Sequence, residues 1–224
     1  MSLTVASGRE LVKNEHSFYF GTMPRVSEEH LVRRRQQILD AALECFARKG
    51  FHATSMQDVF AESGLSAGAV YRYFKSKDDL IAALAADATT LVGGAMDEIV
   101  HRDPLPTPGE VIAALTTEII GIDQHSGRVR LAPQAWGLAV TDPAAREYVS
   151  TAILALRDRW RAYAERMREA GWLPADADTD AVAKVLLGIM PGFLLQHVLI
   201  GDIEPRALTR GLDLLLPQYR HAPA

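Results

Sequence analysis

The side chains best equipped for chemistry lie together in one run, Ser66-Ala67-Gly68-Ala69-Val70-Tyr71-Arg72-Tyr73-Phe74, with Lys75 and Lys77 just beyond it. Two phenols and a guanidinium occupy consecutive positions, and three neighbours cannot all be buried on one helix. Val70 and Phe74, four apart, define an inner face and leave the polar groups to the outside. Ala67, Gly68 and Ala69 are small, so a helix starting here can bring its backbone close to another surface. The amides at such a helix start also favour phosphate. Arginine can grip a guanine edge with two hydrogen bonds, whereas tyrosine and lysine more often hold the backbone of a nucleic acid. The chemistry on offer is recognition of duplex DNA.

These groups need a scaffold. The spacing of Met56, Val59 and Phe60 predicts a helix from Ser55 to Ser63, ended by Gly64 in the left-handed conformation. Leu65 would plug the gap, and Ser66 would cap a second helix running to Phe74. Two helices set steeply by a three-residue turn form a helix-turn-helix. The second is too short to stand alone. It must lean on a first helix, predicted from Ser27 to Lys49 and stopped by Gly50, through Phe46 and the Ile38-Leu39-Ala42 face.

Downstream the chain reads as helix after helix, giving an all-α fold of about nine helices. A long one is predicted from Ser76 to Val100, followed by a proline-rich break at 103–108 and a capping box from Thr107 to Glu110. A shorter helix is expected around Val129 to Leu138. Asp142-Pro143 opens a long helix that Gly171 ends, Asp178 or Thr179 caps the next up to Gly201, and Glu204-Pro205 opens the last. Residues 1–24 show neither period nor caps and read as a leader or tag; 25–80 form the helix-turn-helix head, and 81–224 form a helical body. Residues 182–200 are apolar nearly all round, which requires cover on two sides. Lys184, Pro191, Gln196 and His197 interrupt the stretch and argue for a buried helix over a membrane span. In the last helix Leu208, Leu212, Leu215 and Leu216 share a face.

Composition bounds the remaining classes. Of 224 residues 48% are apolar and 23% charged, which suits a globular, cytoplasmic protein. The net charge of −4 is uneven: the segment 25–80 carries nine basic against eight acidic residues, and Ile81 onward thirteen against eighteen. Arg33, Arg34 and Arg35 cluster, as do Arg72, Lys75 and Lys77, and local arrangement governs phosphate contact. A lone cysteine, Cys45, excludes an internal disulfide and offers no zinc cluster, so neither metal nor cofactor is expected. No HExxH, GxSxG, P-loop or GxGxxG occurs, and the seven histidines are scattered. An enzyme is therefore not expected.

From Arg35 to Leu80 the sequence resembles the DNA-binding domain of the TetR (tetracycline-repressor-like) family. The likeness runs through Ile38-Leu39-Asp40-Ala41-Ala42, Phe46, Gly50-Phe51, Ala53-Thr54-Ser55, Asp58-Val59, Ser63-Gly64-Leu65-Ser66, Gly68, Tyr71-Arg72-Tyr73-Phe74 and Lys77-Asp78-Asp79-Leu80. Phe60 departs from it, standing where the family usually has a small residue. The resemblance implies DNA contacts from Thr54, Ser55, Gln57, Ala67, Gly68, Tyr71, Arg72, Tyr73 and Lys77, with Tyr73 and Lys77 on phosphates and Arg72 and Gln57 reaching bases. It further implies a homodimer built on the last two long helices, a palindromic operator in double-stranded DNA, and a small-molecule effector held in the C-terminal domain. Candidates for that pocket are Met96, Ile119, His125, Gln134, Trp136, Tyr148, Tyr163, Met190, Phe193 and His197. Ordinary core or interface packing is the competing reading for each. A constitutive DNA binder without an effector is the alternative for the whole chain.

Overall fold

Six helices begin where the sequence supplies a side-chain cap: Ser55, Ser66, Ser76, Thr107, Asp142 and Asp178 each accept from a backbone amide in the first turn. The computed structural model describes residues 28–219, apart from the side chains of 124–126. The leader expected at 1–24 and the cap expected at Ser27 lie outside the described residues. Within them the chain forms nine α-helices and no strand. The head comprises α1 (Glu28–Ala53), α2 (Met56–Ser63) and α3 (Ala67–Tyr71). The body comprises α4 (Lys77–Val100), α5 (Pro108–Ser126), α6 (Leu131–Thr141), α7 (Pro143–Glu169), α8 (Thr179–Leu199) and α9 (Pro205–Leu215). Short 3-10 turns occupy Arg128–Arg130 and Pro217–Tyr219.

Two boundaries in the head differ from expectation, and in the body α6 begins and ends two to three residues later than expected. Gly50 does break α1, at φ 80° and ψ 167°, but one further turn follows it to Ala53. The recognition helix ends at Tyr71 rather than Phe74. Beyond it, Tyr73 and Phe74 donate their amides to Val70 O in a closing turn, and the amides of Lys75 and Ser76 are taken by Asp79 of α4.

The head is organised around Ile38, Leu39, Phe46, Val59, Val70 and Leu80, each fully buried. Burying a side chain of this size stabilises by about 1.5–3 kcal/mol. Phe51 packs edge-on against Phe46 at 4.9 Å. The cluster runs on without a gap into Leu131 and Ala135 of α6 and Val149 of α7, so head and body share an apolar seam. A second cluster around Met96, Ile112, Trp160, Tyr163 and Phe193 fills the body.

Polar ties fix the helices within it. Arg159 Nε lies 3.1 Å from each oxygen of Asp97, joining α7 to α4. The pair fits because Gly93 lies beneath it: a Cβ there would sit 2.7 Å from the guanidinium carbon. Tyr163 OH donates to Pro106 O at 2.6 Å. On the seam, Gln134 Oε1 of α6 accepts the Phe51 amide at 3.1 Å. That amide lies just past the Gly50 break.

Helix α9 packs mainly along α5, with Thr209 Oγ1 donating to Gly109 O at 3.2 Å. Leu208 and Leu212 are used in that internal contact, while Leu214 and Leu215 remain 73% and 78% exposed. The single leucine face expected for the last helix is therefore divided. Helices α4 and α8 are long and apolar enough to cross a membrane. Their contacts are those of a bundle: α4 opens in the capping box of Ser76 and Asp79, and α8 lies against α7 and pairs His197 with Asp123 of α5 at 3.2 Å.

Candidate nucleic-acid interface and cavity

The start of α2 is fixed by a reciprocal box. Asp58 Oδ2 accepts from the Ser55 amide at 2.8 Å and from its hydroxyl at 2.7 Å, while the Ser55 oxygen accepts the Asp58 amide. Lys49 donates to the other Asp58 oxygen at 2.6 Å. The Lys49 hydrogen bond, followed by the two from Ser55, holds the Asp58 carboxyl far below the usual range. The far end of α2 is tied to α1 by Gln37 Nε2, which donates to Ser63 O at 2.8 Å. Gly64 then turns the chain at φ 66°, and Ser66 accepts the Ala69 amide. Val70 and Phe74 face the core, and the Arg35 guanidinium sits 5.6 Å over the Phe74 ring. A five-residue helix is thus held by its neighbours at both ends.

This scaffold presents Ser55, Gln57, Ala67, Gly68, Tyr71 and Arg72 to solvent, with Tyr73 half-buried. A Cβ built on Gly68 meets nothing within 4 Å, so the backbone is open to close approach. No ion pair or hydrogen bond engages the Arg72 side chain among the described residues. Tyr71 lies edge-on to Phe60 at 5.3 Å. The bulky residue at position 60 therefore braces a side chain of the recognition helix from behind.

Two of the expected contact residues have their side-chain polar groups engaged within the protein. Thr54 is 2% exposed, and its hydroxyl donates to Gly50 O at 2.8 Å. It closes the turn that follows the Gly50 break. Lys77 Nζ donates to Phe51 O at 2.7 Å and to Thr54 O at 3.1 Å, so its ammonium braces the end of α1 against the start of α4. Lys75, noted in the basic cluster but not among the expected contacts, is exposed one turn past Tyr71 and bonded to Tyr71 O at 2.7 Å. Lys49 and Arg48 are paired with Asp58 and Glu62, which removes them from the exposed positive field.

A cavity of about 420 Å³ opens in the body between α4, α6, α7 and α8. Its wall is apolar, built from such residues as Val92, Met96, Leu131, Trp136, Leu156 and Leu187. Small residues make the space: Ala85, Ala88, Ala132, Ala152 and Gly188. Leu43 and Phe51 of α1 close one part of it, so head and cavity share a wall. Among the described lining residues only Thr89, Arg128 and Lys184 carry a hydroxyl or a charge. The Thr89 hydroxyl already donates to Ala85 O at 2.7 Å.

Residues 38–84 match the family model for bacterial regulatory proteins of the tetR family. The HTH-type transcriptional repressor Rv1474c of Mycobacterium tuberculosis is 30% identical over 207 residues, covering 89% of this chain and all of that protein. This chain belongs to the TetR family. Among solved structures, Salmonella enterica GusR superposes on it with a TM-score of 0.68 at 23% identity, covering 86% of this chain and 98% of that one. Bacillus subtilis FadR, solved in complex with stearoyl-CoA, gives 0.67 at 19% identity, covering 83% and 99%. Both show the shared fold: a helix-turn-helix head on a helical body. As a TetR-family member the protein is a DNA-binding transcriptional regulator, and its relatives are named as regulators, not enzymes.

For this TetR-family protein, the expected pocket residues divide. Met96, Ile119, Trp136 and Met190 line the cavity. Phe193 lies in the body core, stacked on His197 at 5.7 Å, and His197 is held by Asp123. Tyr163 and Gln134 serve the ties described above, outside the cavity wall. Tyr148 packs beside the head core, and its hydroxyl is buried without a hydrogen-bond partner among the described residues. Burial, more than nearby Asp78 and Asp142, pushes that phenol up to about 12. The His125 side chain lies outside the described residues. Cys45 is buried in the head, and burial raises its thiol, which suits packing rather than reactivity. No group of acidic, histidine or cysteine side chains is arranged for a metal among the described residues.

Proposed function

We propose that the protein is a ligand-responsive repressor that binds a palindromic operator as a homodimer in the cytoplasm. The observation that carries this reading is the apolar cavity whose wall includes Leu43 and Phe51 of the DNA-binding head. An occupant that packs better in one head orientation than another shifts operator affinity, and only such a difference can do so. Helix α4 supplies cavity wall and abuts the recognition turn, so it is the element through which the shift passes.

On the DNA side, Arg72 and Gln57 reach base edges, while Tyr71, Tyr73 and the open backbone at Ala67 and Gly68 hold the phosphates. Two copies present two such helices to successive major grooves. Exposed apolar side chains on the last two helices, Val185, Leu199, Leu214 and Leu215 among them, support burial against a second subunit. The repressor sense follows the name of the M. tuberculosis relative. The stearoyl-CoA bound to FadR supports an effector with a hydrocarbon part.

Selection of bound fragments from the source genome, followed by anisotropy titrations with and without apolar small molecules, tests this reading. A palindromic site bound by a dimer, with affinity lowered by a cavity ligand, is the expected result. Operator affinity indifferent to every cavity ligand would leave a constitutive binder.

A further inference from the structure

The cavity is apolar except at its edges, and its charged groups are unequal. Lys184 is 57% exposed and paired with Asp180 of its own helix at 2.7 Å. Arg128 is more enclosed, at 31% exposure, and pairs with Asp40 of α1 at a loose 3.6 Å. Its Nε is buried and finds no acceptor among the described residues. A guanidinium held by one loose ion pair, with its Nε unused, is poorly satisfied, and turning from Asp40 to a bound anion gives it a charge-assisted hydrogen bond. Position matters as much as charge. Arg128 sits in the 3-10 turn that follows Gly127 at the end of α5, and this turn rests on α1.

Given a cavity that binds an effector, as proposed above, we infer that the effector is a carboxylate on a compact hydrocarbon body, with its anionic head taken by Arg128. The guanidinium exchanges Asp40 for the ligand carboxylate. Asp40 keeps a partner throughout, because Gln36 Nε2 already donates to the same Oδ1 at 2.8 Å. The exchange loosens a tie between body and head at the moment the cavity fills. By reciprocity, weakening the Asp40 pair in advance strengthens carboxylate binding.

The test uses the full chain, with decanoate and decan-1-ol as probes of equal chain length, read by the fluorescence of Trp136 and Trp160 in the cavity wall. Decanoate is expected to bind about tenfold or more tightly than the alcohol, as fits a single charge-assisted hydrogen bond. Arg128→Met should bring decanoate down to the level of the alcohol and leave the alcohol within about twofold, which also shows the cavity intact. Asp40→Asn should raise decanoate affinity about threefold or more without affecting the alcohol. Equal binding of both probes to the wild type, or decanoate binding indifferent to Arg128→Met, would overturn the carboxylate assignment while leaving a working cavity. Decanoate affinity unchanged in Asp40→Asn would overturn the exchange. If neither probe binds, the cavity reading fails and this inference falls with it.

Discussion

Replacing Lys77 by methionine separates two roles for one ammonium group. In the structure Nζ donates to Phe51 O and Thr54 O across the junction of α1, α2 and α4. A hydrogen bond from a charged donor nets about 1.5–3 kcal/mol. This site is only part-buried, so water takes over part of each bond and about 2 kcal/mol in total is a reasonable loss. For a chain of this size that corresponds to a melting temperature lower by about 4–8 °C. The salt dependence of operator binding should stay as it is, because counterion release counts phosphates contacted and this ammonium contacts carbonyls. Anisotropy titrations between about 0.05 and 0.2 M salt give the slope of log K against log salt. If the slope becomes shallower by about 0.9 while the melting temperature holds, Lys77 sits on a phosphate and the bracing role is wrong.

Arg72→Ala should weaken operator binding by about 1–3 kcal/mol and relax preference at one base position. Its melting curve should overlay the wild type, since the side chain has no hydrogen bond or ion pair among the described residues. Asp58 has a depressed folded-state value, through its hydrogen bonds with Lys49 and Ser55, so its contribution to stability is present above the unfolded carboxylate value of about 3.9 and is lost as the pH falls below it. The difference in melting temperature between wild type and Asp58→Asn should accordingly shrink on acidification; a difference that persists at low pH would contradict the pairing. Tyr148→Phe removes a buried hydroxyl that has no partner among the described residues, so stability should hold or rise by up to about 1 kcal/mol. A clear loss in urea unfolding would mean that the hydroxyl does find an acceptor.

Much of the fold was legible because helix starts carry local chemistry. Ser55, Ser66, Ser76, Thr107 and Asp142 cap where their sequence contexts say they should. The exposed face of the recognition helix was legible as well, since Val70 and Phe74 fix which side is inner. The internal bonds of Thr54 and Lys77 were not legible, for a common reason. Their orientation depends on the backbone excursion at Gly50, which brings the Thr54 hydroxyl and the Lys77 ammonium onto carbonyls that residue type alone does not place. The cavity was only partly legible. Bulky and polar residues attract attention as ligands, yet Tyr163 and Phe193 were needed to pack the body. The space itself is made by Ala85, Ala88, Ala132, Ala152 and Gly188, residues whose contribution is what they leave out.

The tie between Gln134 and the Phe51 amide has a consequence for anyone altering this protein. What the body grips there is main chain, which every non-proline residue possesses. Exchanging the Phe51 side chain, even drastically, leaves that handle in place. Release has to come from the other partner: Gln134→Leu would unfasten the head at this point while leaving its sequence, and hence the bases it prefers, untouched.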